Sequence, residues 1–143
     1  MSDVGDITSL IHSYALLLDR GDTDAVAELF RHATWHSEPN GQVLRGIEQI
    51  RPVYEQLKTP KGSPRTKHLL TNLTVEVHPG DVIASAHCYW TVLQNVESGR
   101  AIDIILSGQY VDTFEKAEGT WRFAYRLIVV DLTGDTSGHV DKD

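Results

Sequence analysis

Two residues of the sequence have side chains suited to proton transfer and positions that favour burial. Asp19 follows three consecutive leucines at the end of a predicted helix, where the helix dipole opposes a carboxylate and burial makes its charge costly. His68 begins a predicted strand after a charged loop, and histidine is the side chain best suited to acid–base chemistry near neutral pH. Each also has a structural interpretation, since Asp19 can start the turn at 19–22 and His68 can be a hydrogen-bonded strand histidine.

Other reactive residues predict no metal centre and no activated nucleophile. His32 and His36 are four residues apart, but the second lies in a predicted strand, and the sequence contains neither HExxH nor a Cys/His cluster. A Gly-rich phosphate loop and a GxSxG elbow are also missing from the sequence. Cys88 has no sequence feature of a reactive thiolate, and we expect a buried structural thiol.

Length and composition predict one globular domain. The chain has 143 residues, 41% of them hydrophobic and 23% charged, as in ordinary soluble domains. A net charge of -7 argues against a nucleic-acid partner, which requires a basic surface. The single cysteine suits a reducing compartment. The N-terminus lacks signal-peptide features, and no apolar run approaches the roughly 20 residues of a membrane span. We therefore expect a cytoplasmic protein with no membrane partner.

The first part of the chain predicts three helices and a short hairpin. Helical spacing of apolar residues covers 6–19, with Asp6 as N-cap and Gly21 as the stop. A second helix starts at 22 or 23, and a third starts near Glu48 and carries Tyr54 on its apolar stripe. Between them, 33–37 and 42–44 form strands joined by an Asn-Gly turn.

The second part predicts a sheet. Residues 59–66 form a loop rich in proline and charge, after which the period changes to two in four long runs separated by short turns, at 67–77, 82–96, 101–116 and 120–131. Short turns make neighbouring strands antiparallel. The layout is α+β, with helices on one face of a curved sheet. A single domain is expected over 1–132, followed by a polar tail, 133–143, that we expect to fray.

Three groups of residues resemble known proteins. They are the run Tyr14–Asp22 continued by Leu29-Phe30 and Ala33-Thr34-Trp35, the run Thr66–Asn72, and Gly108–Asp112 followed by Gly119–Phe123. Over 5–131 the chain resembles SnoaL-like proteins of the NTF2-like superfamily. The resemblance implies a cystatin-like cone in which three N-terminal helices pack on a curved antiparallel sheet of four long strands plus a short hairpin. The pattern is most similar to the branch of scytalone dehydratase and hexachlorocyclohexane dehydrochlorinase, which are lyases that use no cofactor.

Enzymes of that branch use an Asp–His pair, and the resemblance assigns it to Asp19 and to His68 in its His-x-x-Thr-Asn context. It also implies pocket roles for Trp35, Tyr110 and Arg126. Periodicity adds Tyr14 and Tyr89, and the predicted substrate-binding set is completed by Tyr54 and Leu106. Two departures are evident. The dehydratase has a tyrosine where this chain has Leu18, and neither His87 nor Tyr89 matches its second pocket histidine cleanly. The pair is therefore more similar to that of the dehydrochlorinase.

These residues predict a cofactor-independent acid–base enzyme. His68 would remove a proton from an acidic carbon, with Asp19 holding the imidazole and Arg126, Trp35 or a tyrosine hydroxyl holding the developing charge. An apolar pocket suits a small hydrophobic, cyclic substrate, and elimination, hydration and isomerisation all fit. The alternative is a non-catalytic binding or assembly module, similar to the small subunits of ring-hydroxylating oxygenases. A homo-oligomer, dimer or trimer, is expected in both cases.

Overall fold

The computed structural model describes residues 2–140 and confirms the α+β cone. Within that range it contains three helices and six strands, in the order α1 Asp3–Arg20, α2 Thr23–Leu29, β1 Thr34–Ser37, β2 Gln42–Arg45, α3 Gly46–Glu55, β3 Thr66–Val77, β4 Ile83–Gln94, β5 Asp103–Ala117 and β6 Thr120–Thr133. No helix among the described residues is long and apolar enough to cross a membrane.

The strands form one mixed sheet in the order β2-β1-β6-β5-β4-β3. The four long strands are antiparallel neighbours, whereas β1 pairs with β6 in parallel and brings the short hairpin onto that edge. Register shifts interrupt each long pairing, for example between Thr71 and Thr74 and between Val92 and Leu93. Such bulges bend and twist strands, so the sheet curves around the helices and leaves space inside.

Alternation along β4 separates the two faces of the sheet. Its inward set is buried and consists of Ala84, Ala86, Cys88, Trp90 and Val92. The residues between them, including His87 and Tyr89, point to the outer face. Helix α1 covers the inner face with a stripe at helical spacing, made of Ile7, Ile11, Tyr14, Ala15 and Leu18.

The ends of α1 fix where its last turn lies. Ser2, rather than the predicted Asp6, is the N-cap, because its side chain accepts a hydrogen bond from the backbone N–H of Gly5. Asp6 instead lies in the first turn, where a negative charge is also favourable. Gly21 ends the helix as predicted, with a left-handed φ of 76°. Asp19 is thereby held in the last turn, beside the start of β3.

Residues 134–140, which we call the C-terminal strap, lie against the body of the protein. This placement differs from the frayed tail expected from their polar sequence. The backbone N–H of Lys58 donates to the carbonyl of His139 at 2.8 Å, and Val140 forms a β-bridge with Leu57. The buried Gln94 amide donates to the carbonyls of both Gly138 and Pro64, each at 3.0 Å. The rest of the expected tail, 141–143, lies outside the described residues.

Candidate active site

Asp19 and His68 form a direct hydrogen bond between the end of α1 and the start of β3. His68 Nδ1 lies 2.6 Å from Asp19 Oδ1. Asp19 also accepts from the hydroxyl of Thr66 at 2.8 Å and from the backbone N–H of His68 at 2.9 Å. Three donors therefore fix the carboxylate, and the carboxylate fixes one nitrogen of the imidazole. Sequence reasoning predicted the pair but gave Thr66 no role.

The surroundings of Asp19 keep its carboxylate ionised. Burial is the largest single influence and raises its pKa, but the hydrogen bonds from His68 and Thr66, together with the charge that His68 carries when protonated, outweigh it and lower the pKa overall. The side chains of His68 and Asp19 are only 4% and 14% exposed. An ionised carboxylate accepts from Nδ1–H and thus selects the tautomer whose Nε2 is free to accept a proton.

His68 borders a cavity of about 340 Å³ inside the cone. Of the predicted pocket residues, the structure places Tyr14, Trp35, Tyr54, Leu106 and Tyr110 on its wall; the other lining residues are Leu18, Ser37, Leu57, Trp90, Val92, Ile128, Val130, His139 and Val140. The wall is thus largely apolar, with a few polar groups. Asp19 lies behind His68 and borders a separate surface depression with Arg65 and Lys67.

Three aromatic residues on the cavity wall form a hydrogen-bonded chain. Trp35 Nε1 donates to the hydroxyl of Tyr54 at 2.9 Å, and that hydroxyl lies 2.8 Å from the hydroxyl of Tyr14. Only one hydroxyl proton can lie between the two oxygens, so the other hydroxyl retains a proton to donate elsewhere. Burial raises the pKa of both tyrosines, which keeps them protonated and able to act as donors.

Arg126 lies outside the cavity, contrary to the predicted pocket role. It is fully buried and forms two hydrogen bonds with Asp112, at 2.7 and 2.8 Å, its partner in the β5–β6 register. Its guanidinium carbon lies 3.8 Å from the ring centre of Tyr110 and 4.4 Å from that of Tyr14. Arg126 therefore supports two aromatic residues of the wall by packing behind them.

Tyr89 also differs from its predicted pocket position. It is 44% exposed on the outer face of the sheet, where its ring meets His87 edge to face. Trp90, the next residue, points inward, is 4% exposed and stacks on Tyr110 with ring centres 5.6 Å apart. Cys88 and Val92, which lie two residues before and after Trp90, are both apolar and share its face of the strand. This alternation is the sequence signal that could have placed Tyr89 on the outer face.

Sequence reasoning missed His139. The strap places its ring on the cavity wall, where it is 6% exposed. Burial, reinforced by the positive charge of a protonated His68 and opposed by Asp19, lowers the pKa of His139 from 6.5 to about 4. His139 is therefore neutral at pH 7. The nearest sequence signal was the pair His139-Val140 in an otherwise polar tail, which is too short to show a period.

The described part of the chain has no group of three or more His, Cys, Asp or Glu side chains placed to hold a metal ion. The polar side chains on the cavity wall carry imidazole, indole and hydroxyl groups. Together they can accept a proton at His68 Nε2, donate hydrogen bonds from a tyrosine, and enclose an apolar molecule.

The fold is the cystatin-like fold of NTF2-like proteins, with His68 on the wall of the cavity inside the cone. Residues 1–127 match the SnoaL-like domain, and the chain belongs to that family, which includes enzymes such as dehydratases and cyclases. A comparison with curated protein sequences found no match.

Solved structures with the same fold cover most of the chain. A variant of Rv3472, a protein of unknown function from Mycobacterium tuberculosis, is 26% identical with a TM-score of 0.72, over 90% of this chain and 71% of the other. A Novosphingobium aromaticivorans protein provisionally named scytalone dehydratase is 23% identical with a TM-score of 0.74, over 92% and 86%. ActVI-ORFA from Streptomyces coelicolor is 15% identical with a TM-score of 0.73, over 90% and 96%.

Proposed function

We propose that this protein is a cofactor-independent acid–base enzyme that acts on a small hydrophobic, cyclic substrate by elimination, such as dehydration, or by double-bond isomerisation. The observation that carries the proposal is the 2.6 Å bond between His68 Nδ1 and Asp19 Oδ1, with the same imidazole on the wall of an apolar cavity. A buried carboxylate that orients an imidazole toward a ligand space is the arrangement that a general base requires.

In the proposed reaction, His68 Nε2 removes a proton from a carbon next to a carbonyl group of the substrate. Asp19 stabilises the imidazolium that forms, without itself taking the proton. The electron pair of the broken C–H bond becomes the new double bond as the leaving group departs with its own electrons. If the leaving group is hydroxide, the imidazolium returns its proton and water is released. If the proton returns to a different carbon, the result is isomerisation.

The tyrosine pair supplies the proposed stabilisation of negative charge. Carbon acids develop charge on the carbonyl oxygen as the proton leaves, and a fixed donor in a water-poor site favours that state. Tyr14 and Tyr54 hold each other at 2.8 Å and retain one donatable proton between them. Arg126 acts indirectly in this proposal, by keeping Tyr14 and Tyr110 in place.

The test uses cyclic ketones that carry a hydroxyl or a chloride on the carbon β to the carbonyl group. Elimination produces a conjugated enone, which is followed by its ultraviolet absorbance. Exchange of the α-hydrogen in D2O, followed by proton NMR, detects the first step even where no group leaves. We expect His68→Gln and Asp19→Asn each to lower the rate by about 10²–10⁴-fold.

His87→Gln is the matched control, since His87 lies on the outer face and bonds only to Gln109 among described residues. It should keep the wild-type rate. If the wild type catalyses neither elimination nor exchange, while it and both site variants bind the ketones equally well, the Asp19–His68 pair is structural and the enzyme proposal fails. That outcome would favour the alternative, a non-catalytic binding or assembly module.

We also propose that the protein forms a homo-oligomer through the outer face of the sheet and works in the cytoplasm. Apolar side chains are exposed on that face, including Leu69 at 44%, Tyr89 at 44% and Val111 at 40%. Exposed apolar and aromatic side chains on one face of a sheet can form a contact surface between copies of a protein. Light scattering should give the mass of a dimer or trimer, and Tyr89→Lys should reduce it. A monomeric mass for the wild type would contradict this proposal.

A further inference from the structure

Two buried nitrogens, on residues that border the cavity, lack a hydrogen-bond partner among the described residues. They are Nδ1 of His139 and Nε1 of Trp90, and both residues border the cavity that His68 borders. Buried polar atoms in native proteins are nearly always paired. An unpaired nitrogen on a residue that borders a ligand space makes that residue a candidate contact for a polar group of a ligand.

The strap holds His139 firmly enough for a binding role. Its carbonyl accepts from the Lys58 N–H, its own N–H donates to Thr136 at 2.9 Å, and the next residue pairs with Leu57. Gly138 sits so close to Val96 and Gln94 that a β-carbon there would lie 2.5 Å from Val96 Cγ1. The position of the imidazole is thus set from both sides along the backbone.

We propose that His139 is a specificity-determining residue, whose ring nitrogen binds an oxygen substituent of the substrate that His68 deprotonates. This inference rests on the proposed function for the role of His68, but the binding preference stands independently. An unpaired imidazole nitrogen gains a hydrogen bond from a hydroxyl in either tautomer, because a hydroxyl both donates and accepts. A carbon-bound chlorine donates nothing and accepts poorly. The cavity should therefore select oxygen-bearing rings over chlorinated ones of the same size.

Two features of the site support a neutral rather than a cationic role. Burial lowers the pKa of His139 to about 4, and the charge of a protonated His68 acts in the same direction. Two imidazolium ions in one apolar cavity would repel each other. A neutral His139 can instead position a hydroxyl or carbonyl group while His68 gains and loses the proton. Trp90 Nε1, which can only donate, adds a second contact suited to oxygen.

The test measures binding of phenol and chlorobenzene, which differ in one substituent of similar size. Dissociation constants are measured by NMR on protein with ¹⁵N-labelled histidine. We expect phenol to bind the wild type about tenfold more tightly than chlorobenzene, the value of one well-placed hydrogen bond. His139→Phe should weaken phenol binding severalfold and so reduce this preference, and should leave chlorobenzene affinity within about twofold. His12→Phe, at an exposed position on α1, is the control and should retain the preference.

A second readout needs no variant, in case His139→Phe displaces the strap. Phenol should shift a ring-nitrogen resonance of His139 in the wild type, and chlorobenzene should leave both ring-nitrogen resonances unchanged. Equal affinities for the two probes, or a bound phenol that moves neither resonance, would overturn the proposal. Because no turnover is measured, this result is separate from failure of the proposed acid–base reaction, which leaves the phenol preference intact.

Discussion

Burial of His139 should make the stability of the protein depend on pH in a defined window. Its pKa falls from an ordinary 6.5 to about 4 in the folded state. Between these values the unfolded chain binds a proton that the folded chain does not, so the free energy of unfolding decreases as pH falls from about 6.5 to about 4. A shift of about 2.5 units at about 1.4 kcal/mol per unit amounts to about 3 kcal/mol, of which about 2.5 is lost by pH 4.5.

Urea denaturation of wild type and His139→Phe at pH values from 7.5 to 4.5 measures this contribution. Phenylalanine keeps a ring in place and cannot titrate, so its curve should lose about 2.5 kcal/mol less than the wild type by pH 4.5. His32→Gln, at an exposed position, should follow the wild type. Asp19 does not affect stability in this pH range, because its pKa is lowered from 3.8. Its contribution to the free energy of unfolding is lost only at lower pH. Parallel curves for wild type and His139→Phe would refute the reasoning.

Three further predictions concern the core. Gly108→Ala should destabilise by about 3 kcal/mol, because its β-carbon would lie 1.9 Å from the Val129 carbonyl oxygen; a thermal melt like that of wild type would contradict this. Asp112→Leu should lower the free energy of unfolding by about 3–5 kcal/mol, because it leaves Arg126 buried and unpaired, and adding Arg126→Met should restore most of that loss. Equal free energies of unfolding in urea for the wild type and Asp112→Leu would count against this. Burial raises the pKa of Cys88 to about 11, so iodoacetamide at pH 8 should label it far more slowly in native than in urea-unfolded protein, and comparable rates would disprove the buried thiol.

The parts of the fold with a strong period could be predicted from the sequence. The apolar stripe of α1 and the alternation in β4 each extend over many residues, and the turns between the long strands are short. The sequence placed the start of α1 at Asp6, a few residues after its actual start, because both Ser2 and Asp6 are good capping residues. The contacts that hold the C-terminal strap are with Lys58, Gln94 and Leu57, which are distant in sequence. No local pattern reveals such contacts, so the polar sequence of the strap predicted that it would fray.

Some residues of the candidate site could also be predicted from the sequence, and others could not. Asp19 and His68 could be predicted as a pair because both match the Asp–His pair of the lyases that the chain resembles, whereas from its position alone each residue also had a structural interpretation. Arg126 was assigned to the pocket, but its cross-strand partner Asp112 depends on the β5–β6 register, which the sequence does not specify. The position of His139 depends on the strap lying against the body of the protein. His139 is far from His68 in the sequence, and only the three-dimensional fold brings the two residues to one cavity.

The C-terminal strap lies beyond the residues that match the SnoaL-like domain. The family match ends at residue 127, so Asp19 and His68 fall inside it and His139 falls outside. The candidate site therefore combines the Asp19–His68 pair, inside the matched range, with a part of the cavity wall from a segment outside it. A change in the strap would alter one part of the cavity wall while leaving the sheet and the bond between Asp19 and His68 in place. Substitutions confined to residues 134–140 are therefore a direct way to alter the cavity without disturbing the rest of the candidate site.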